Sequence, residues 1–233
     1  MAKTKTKKEE GIDIIEDPDA LVSKAEEFFS NTRNRNLVFA IGGVIAAVVA
    51  GFLIYKILLD NQNEEAQREM FQAVYYFEAD SLGRALNGDG INYGFLQIIE
   101  DYSGTDAANL ASFYSGATYL KLGDYNNAIR YLEDFSGADF LVQARAYALI
   151  GDSNMELENF SEAAANYQKA ADHKPNKEFT PGYLQKLAVA HEANGDYSGA
   201  AAAFDKIINK YVDSPLLQEA KKQKARLEGL AAE

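Results

Sequence analysis

Hydrophobic and polar positions divide this chain into one unbroken apolar run and a long series of two-faced segments. The run is LVFAIGGVIAAVVAGFLIYKILL at 37–59, and no charge falls in the 20 residues between Arg35 and Lys56. At about 1.5 Å per residue, such a helix spans roughly 30 Å, the thickness of a bilayer's hydrocarbon core. A core helix of this length would carry a polar stripe, and this one has none. The pattern therefore predicts a transmembrane helix over 37–59. It is too long for a signal-peptide core and stands after 36 residues, so it is expected to remain as an uncleaved anchor. Gly43, Ala47 and Gly51 recur at every fourth position and form a smooth face for membrane helix packing. Such residues are also common in membrane helices generally.

Residues 1–36 form a tail in two parts. MAKTKTKKEE predicts disorder. Asp17-Pro18 then supplies an N-cap and first-turn proline, followed by Leu21, Ala25, Phe28 and Phe29 on one side of a short helix. That helix suits a membrane interface or a partner on the cytoplasmic face, or is marginal and without function.

Beyond the apolar run, one phrase recurs. YLKLGDYNNAIRYL (119–132), MELENFSEAAANY (155–167) and EANGDYSGAAAAF (192–204) share their small and aromatic positions. Gly116, Tyr119, Gly123, Tyr125, Ala128 and Leu132 match Gly151, Asn154, Glu158, Phe160, Ala163 and Tyr167 after 35 residues. After 37 more come Ala188, His191, Gly195, Tyr197, Ala200 and Phe204. A degenerate earlier copy is expected at Ala79, Leu82, Ile91 and Phe95, because FLQIIEDYSGT (95–105) parallels FDKIINKYVDS (204–214). This period predicts stacked antiparallel helix pairs, none of which can bury its apolar face alone. Small residues admit the partner helix, and large ones fill the gaps. Gly123 and Gly195 are expected in the left-handed conformation, with Asp124, Asn159 and Asp196 capping the following helices. Asn159 and Glu162 predict a capping box. Thr180-Pro181 and Ser214-Pro215 predict further helix starts.

Charge sets the orientation. The net charge of −12 resides in 60–233, with 15 basic and 27 acidic residues, against seven and eight in 1–36. An acidic exterior does not suit nucleic acid. Lys24, Arg33 and Arg35 precede the span, whereas Lys56 and Arg68 are the only basic residues from 56 to 79. The positive-inside rule places the N-terminus in the cytoplasm and the acidic part outside. The absence of Cys excludes disulfides and thiolate metal sites. NGDGIN (87–92) resembles a calcium loop only superficially, with Ile91 and Ile98 at ligand places, and predicts a Gly-rich turn. His173 and His191 have no nucleophile or metal partner at motif spacing, so no catalysis and no cofactor are expected.

Tyr147, Ile150, Gly151, Phe160, Ala163, Tyr167, Ala170 and Pro175 resemble the tetratricopeptide repeat pattern, over roughly 72–212. The resemblance implies an all-α solenoid of about four helix pairs in 60–233, with a terminal helix from Ser214 to about Leu230. It also implies that first helices line a groove for extended or helical peptide. Residues expected there are Tyr76, Asp80, Phe113, Ala117, Leu120, Lys121, Ala148, Asp152, Met155, Gln185, Val189 and Glu192. Some of these are alternatively packed against neighbouring helices. Tyr76 and Asp80 replace the Lys and Asn with which some members grip chaperone C-termini, which argues against that partner class. The layout is similar to the YfgM-type ancillary subunits of the bacterial Sec translocon. That likeness implies an inner-membrane protein with a periplasmic repeat domain, acting as an adaptor or chaperone in protein transport. Its implied partners are translocon subunits, a membrane-anchored prolyl isomerase and exported polypeptides. A scaffold for another envelope complex and an organellar import receptor are the alternatives.

Overall fold

The structure, a computed structural model, describes residues 18–232, and the chain divides into two compact units after Ile57. The expected Lys-rich start and the Asp17 cap lie outside the described residues. Among the described residues every regular element is a helix.

The first unit contains α1 (Pro18–Ser30) and the beginning of α2 (Thr32–Glu78). The chain bends at Asn31, whose side-chain oxygen accepts the Arg33 N–H at 3.0 Å and so closes the start of α2. The apolar run stands open on every side, with Phe39, Val48 and Phe52 each more than 60% exposed. None of its most apolar stretch is buried. A helix of this length and composition is able to cross a membrane. From Phe52 to Ala79 there is no Gly or Pro to break it, so α2 continues past the end of the apolar run.

The second unit takes up the rest of α2 and adds α3 (Leu82–Asn87), α4 (Phe95–Asp101), α5 (Asp106–Leu122), α6 (Tyr125–Asp134), α7 (Val142–Glu156), α8 (Phe160–Asp172), α9 (Thr180–Ala193), α10 (Tyr197–Lys210) and α11 (Leu217–Leu230). The same backbone closure ends four of these helices. The N–H groups of Gly123 and Asp124 return to the carbonyls of Leu120 and Tyr119, and Gly195 and Asp196 return to Glu192 and His191. Glu158 and Asn159 return to Met155 and Asn154, and Asp80 and Ser81 to Phe77 and Tyr76. The turning residue is left-handed each time, with φ of 79° at Gly123, 77° at Gly195, 59° at Glu158 and 56° at Asp80. Asp124 and Asp196 then accept the N–H of Asn127 and Gly199, capping α6 and α10 as expected. The capping box at Asn159 is not formed. Its amide turns instead towards Asn154 Oδ1 at 3.4 Å, leaving α8 without a side-chain cap.

These closures correct the register of the first pair. By the turn, Ala73 and Ala85, both fully buried, are the counterparts of Gly116 and Ala128; Ala79, Leu82 and Ile91 are not. From Ser81 to Asp124 is 43 residues, but from Phe95 to Leu132 is 37, so an insertion of six splits the second helix into α3 and α4. Ile91 rides on that insertion and is 88% exposed. Phe95 keeps its expected place at the centre of the packing, and Ile98 and Tyr102 repeat the closure of Ile207 and Tyr211.

The inserted loop is a Gly-rich turn organised around one carboxylate. Asp89 accepts the N–H groups of Ile91 at 2.9 Å and Asn92 at 2.7 Å, the Asn92 side chain at 3.0 Å and the Tyr76 hydroxyl at 2.6 Å. These donors, the Asn92 N–H first and the Tyr76 hydroxyl next, hold its carboxyl well below the usual carboxylate range. A depressed folded-state pKa gives stability that is complete above the unfolded value of about 4 and fades as pH falls below it. Asp89→Ala is therefore expected to lower the Tm at pH 7. The gap from the parent should narrow as scans are repeated from pH 4 downward, and a gap that stays constant with pH would contradict the assignment.

Candidate protein-binding groove

The first helices α5, α7 and α9 present their one-turn-spaced positions side by side. Two adjoining hollows lie along them, of about 590 Å³ and about 470 Å³. Phe113, Leu141, Arg145, Phe179 and Gln185 line the larger, whereas Asp152, Met155, Gln185 and Val189 line the smaller. Gln185 and Lys186 belong to both, so the hollows form one continuous surface. Volumes of this size hold a few side chains of a bound segment.

The floor is fixed by hydrogen bonds. The Tyr167 hydroxyl donates to Asp152 Oδ1 at 2.7 Å, and Lys186 Nζ reaches the same oxygen at 2.5 Å. Burial, then the Asp152 hydrogen bond, pushes the Tyr167 hydroxyl pKa far above the usual tyrosine value, so it stays a donor. Lys186 also lies 5.6 Å from the Tyr167 ring centroid, so the α7–α8–α9 contact and the groove floor share three residues.

Of the residues selected from sequence, Phe113, Asp152, Met155, Gln185 and Val189 meet here. Val189 is 49% exposed, whereas Phe113 is half-buried against Phe135 at 5.4 Å. Leu120 packs into the neighbouring core with Phe77 and Tyr147. Lys121 is drawn to Asp80 at 2.6 Å and lies 5.1 Å from the Phe77 ring centroid. Tyr76 turns towards Asp89, and by the turn closure its counterpart on α5 is Tyr119 and not Phe113, while Phe77 stands at the Leu120 position. Ala117 and Ala148 are buried between helices. Glu192 is engaged by Arg226 of α11 through two bonds of 2.9 and 2.6 Å. Gly43, Ala47 and Gly51 lie on the open part of α2, where a Cβ added at either glycine meets nothing within 4 Å.

Leu141 and Phe179 were not anticipated. Each stands at the N-cap of a first helix, where a Ser or Asp would be usual, and remains 40% and 38% exposed. An apolar residue at a cap position is the signal that would have marked them.

Both histidines have local partners. His173 Nε2 lies 2.7 Å from the Asp139 carbonyl oxygen, and His191 Nδ1 lies 2.9 Å from the Asp196 carboxylate that caps α10. Among the described residues no group of three or more metal-ligating side chains converges.

Comparison with known proteins agrees with this fold. Tetratricopeptide repeat profiles match residues 116–178 and 183–214. A crystal structure of the nearly identical TPR-like repeats of a Podosopora anserina protein described as a kinesin light chain superposes with a TM-score of 0.51. It is 14% identical and covers 75% of this chain and 87% of its own. A point variant of that protein gives 0.50 at the same identity, over 75% and 86%. At that identity the likeness concerns the fold alone. No curated protein matches the chain. Residues 116–178 and 183–214 thus carry tetratricopeptide repeats, and such repeats imply protein partners in general.

Proposed function

We propose that this protein is a membrane-anchored, non-catalytic adaptor that holds partner polypeptides along α5, α7 and α9. The observation that carries this reading is the continuous surface joining Phe113, Leu141 and Phe179 to Met155 and Val189. Apolar hollows broken by Arg145, Asp152 and Lys186 fit a segment with alternating apolar and polar side chains. The unburied apolar run supports an anchor, which raises the local concentration of the groove for partners in the same membrane. The excess of Lys and Arg before the run supports a cytoplasmic N-terminus and an exported repeat domain. The order of tail, anchor and acidic repeats supports association with the Sec translocon of a bacterial inner membrane. There the groove would receive emerging polypeptides beside channel subunits and an anchored prolyl isomerase.

Crosslinking intact membranes, extracting in mild detergent and capturing through a C-terminal tag tests this reading. Near-stoichiometric channel subunits are the expected recovery. A different envelope complex without them would move the function to scaffold. A topology reporter at Glu233 should be inactive in the cytosol, and cytosolic activity would overturn the exported orientation. The double variant Gln185→Glu and Val189→Glu should cut client recovery about tenfold, equivalent to about 1.4 kcal/mol of binding. Its unfolding free energy should stay within about 0.5 kcal/mol of the parent, because neither side chain is buried. Unchanged recovery would place the binding surface elsewhere.

A further inference from the structure

We infer that α1 is an interfacial helix, lying in the surface of the membrane that α2 crosses. This rests on the anchor reading above and adds the place of the tail. Within α1, Val22, Ala25, Phe28 and Phe29 occupy one arc, because steps of three and four residues return to the same face. Glu26, Glu27 and Ser30 stand on the rest of the circumference. The apolar arc is bare: Val22 is 56% exposed, Phe28 45% and Phe29 46%, and the two phenyl rings meet edge to face at 5.6 Å.

The occupant follows from where α1 is attached. A single residue, Asn31, separates it from α2, and the chain bends there. Arg33 and Arg35 occupy the first turn of α2, and the uncharged run follows directly. With the run in hydrocarbon, the arginines stand at headgroup level and α1 begins within about one helical turn of the same boundary. An amphipathic helix tethered at that depth meets lipid before any soluble partner. Its charges identify the lipid. Asp19, Glu26 and Glu27 outnumber Lys24, so attraction comes from the apolar arc and not from anionic headgroups.

The absence of native Cys makes a direct test possible in the full chain. Val22→Cys, Ala25→Cys, Glu26→Cys and Glu27→Cys are each spin-labelled, with Val48→Cys as a reference for the span. Each protein is reconstituted in zwitterionic phosphatidylcholine vesicles. Collision with oxygen, which concentrates in lipid, is compared with collision with a polar nickel complex, which stays in water. Labels at 22 and 25 are expected to favour oxygen, and labels at 26 and 27 to favour nickel, with Val48 the most oxygen-rich. Phe28→Glu with Phe29→Glu should turn the label at 25 from oxygen to nickel. Nickel preference at all four α1 positions, with Val48 still in lipid, would overturn the inference and leave the anchor standing. Protection of 22 and 25 from both reagents would overturn it in favour of a protein contact. Nickel access at Val48 would remove the anchor reading itself.

Discussion

Phe95→Ala is expected to destabilise the repeat unit by about 3–5 kcal/mol, the usual cost of emptying a buried phenylalanine site. Phe95 is fully buried and stacks on Tyr114 with ring centroids 5.2 Å apart and planes 11° from parallel. It packs with Met70 and Ala73 of α2 and Ala111 of α5, so one side chain joins the first helix to the next pair. Collapse into the vacancy is restricted, because Tyr114 also packs edge to face with Phe77 at 5.4 Å. Ile91→Ala makes the informative control. Ile91 is 88% exposed and should change stability by less than about 0.5 kcal/mol. Urea unfolding of both variants, followed by helical circular dichroism, measures the difference. Equal losses would contradict the corrected register of the first pair.

Gly151→Val is expected to cost about 1–3 kcal/mol through overpacking. A Cβ at Gly151 meets Cε1 and Cδ1 of Tyr167 at 2.6 and 2.7 Å. The ring has little freedom to retreat, since Tyr167 is 3% exposed and its hydroxyl is held by Asp152. Asp152 also receives Lys186, so displacement of the ring would disturb the groove floor along with the α7–α8 contact. Gly182→Ala separates sterics from glycine chemistry. It is also helical, but nothing lies within 4 Å of its added Cβ, so it should be neutral or mildly stabilising. If both substitutions cost the same, the close approach of the two helices does not depend on Gly151.

Much of this architecture is legible in the sequence because packing demands repeat with the pairs. Gly116 against Leu132 and Gly151 against Tyr167 are small-against-large contacts that have to recur at the period of the stack. Asp124 and Asp196 cap reliably because one carboxylate oxygen holds the cap while the other takes Asn127 or His191, whereas the Asn159 side chain turns to Asn154 and leaves its helix uncapped. The first pair resisted a fixed-period reading for a topological reason. The six inserted residues lie inside a helix, so its two halves obey different offsets, and a single period reaches Phe95 but misses Ala85. The continuation of α2 past the apolar run follows from an absence of breakers, which a search for composition changes does not detect. In the groove, residues on first-helix interiors follow the spacing of the repeats. Leu141 and Phe179 precede their helices and so fall outside any pattern built on helical spacing.

The most direct test of the central claim, that partners run along α5, α7 and α9, is site-specific photocrosslinking by the full chain in native membranes. A photoreactive residue is placed at Gln185 or Val189 in the groove, or at Glu133 or Ala165 on the second helices α6 and α8. Partner polypeptides should be captured at least about tenfold more efficiently from the groove positions, equivalent to about 1.4 kcal/mol of preference. Equal capture from α6 and α8, or capture from those helices alone, would contradict the account.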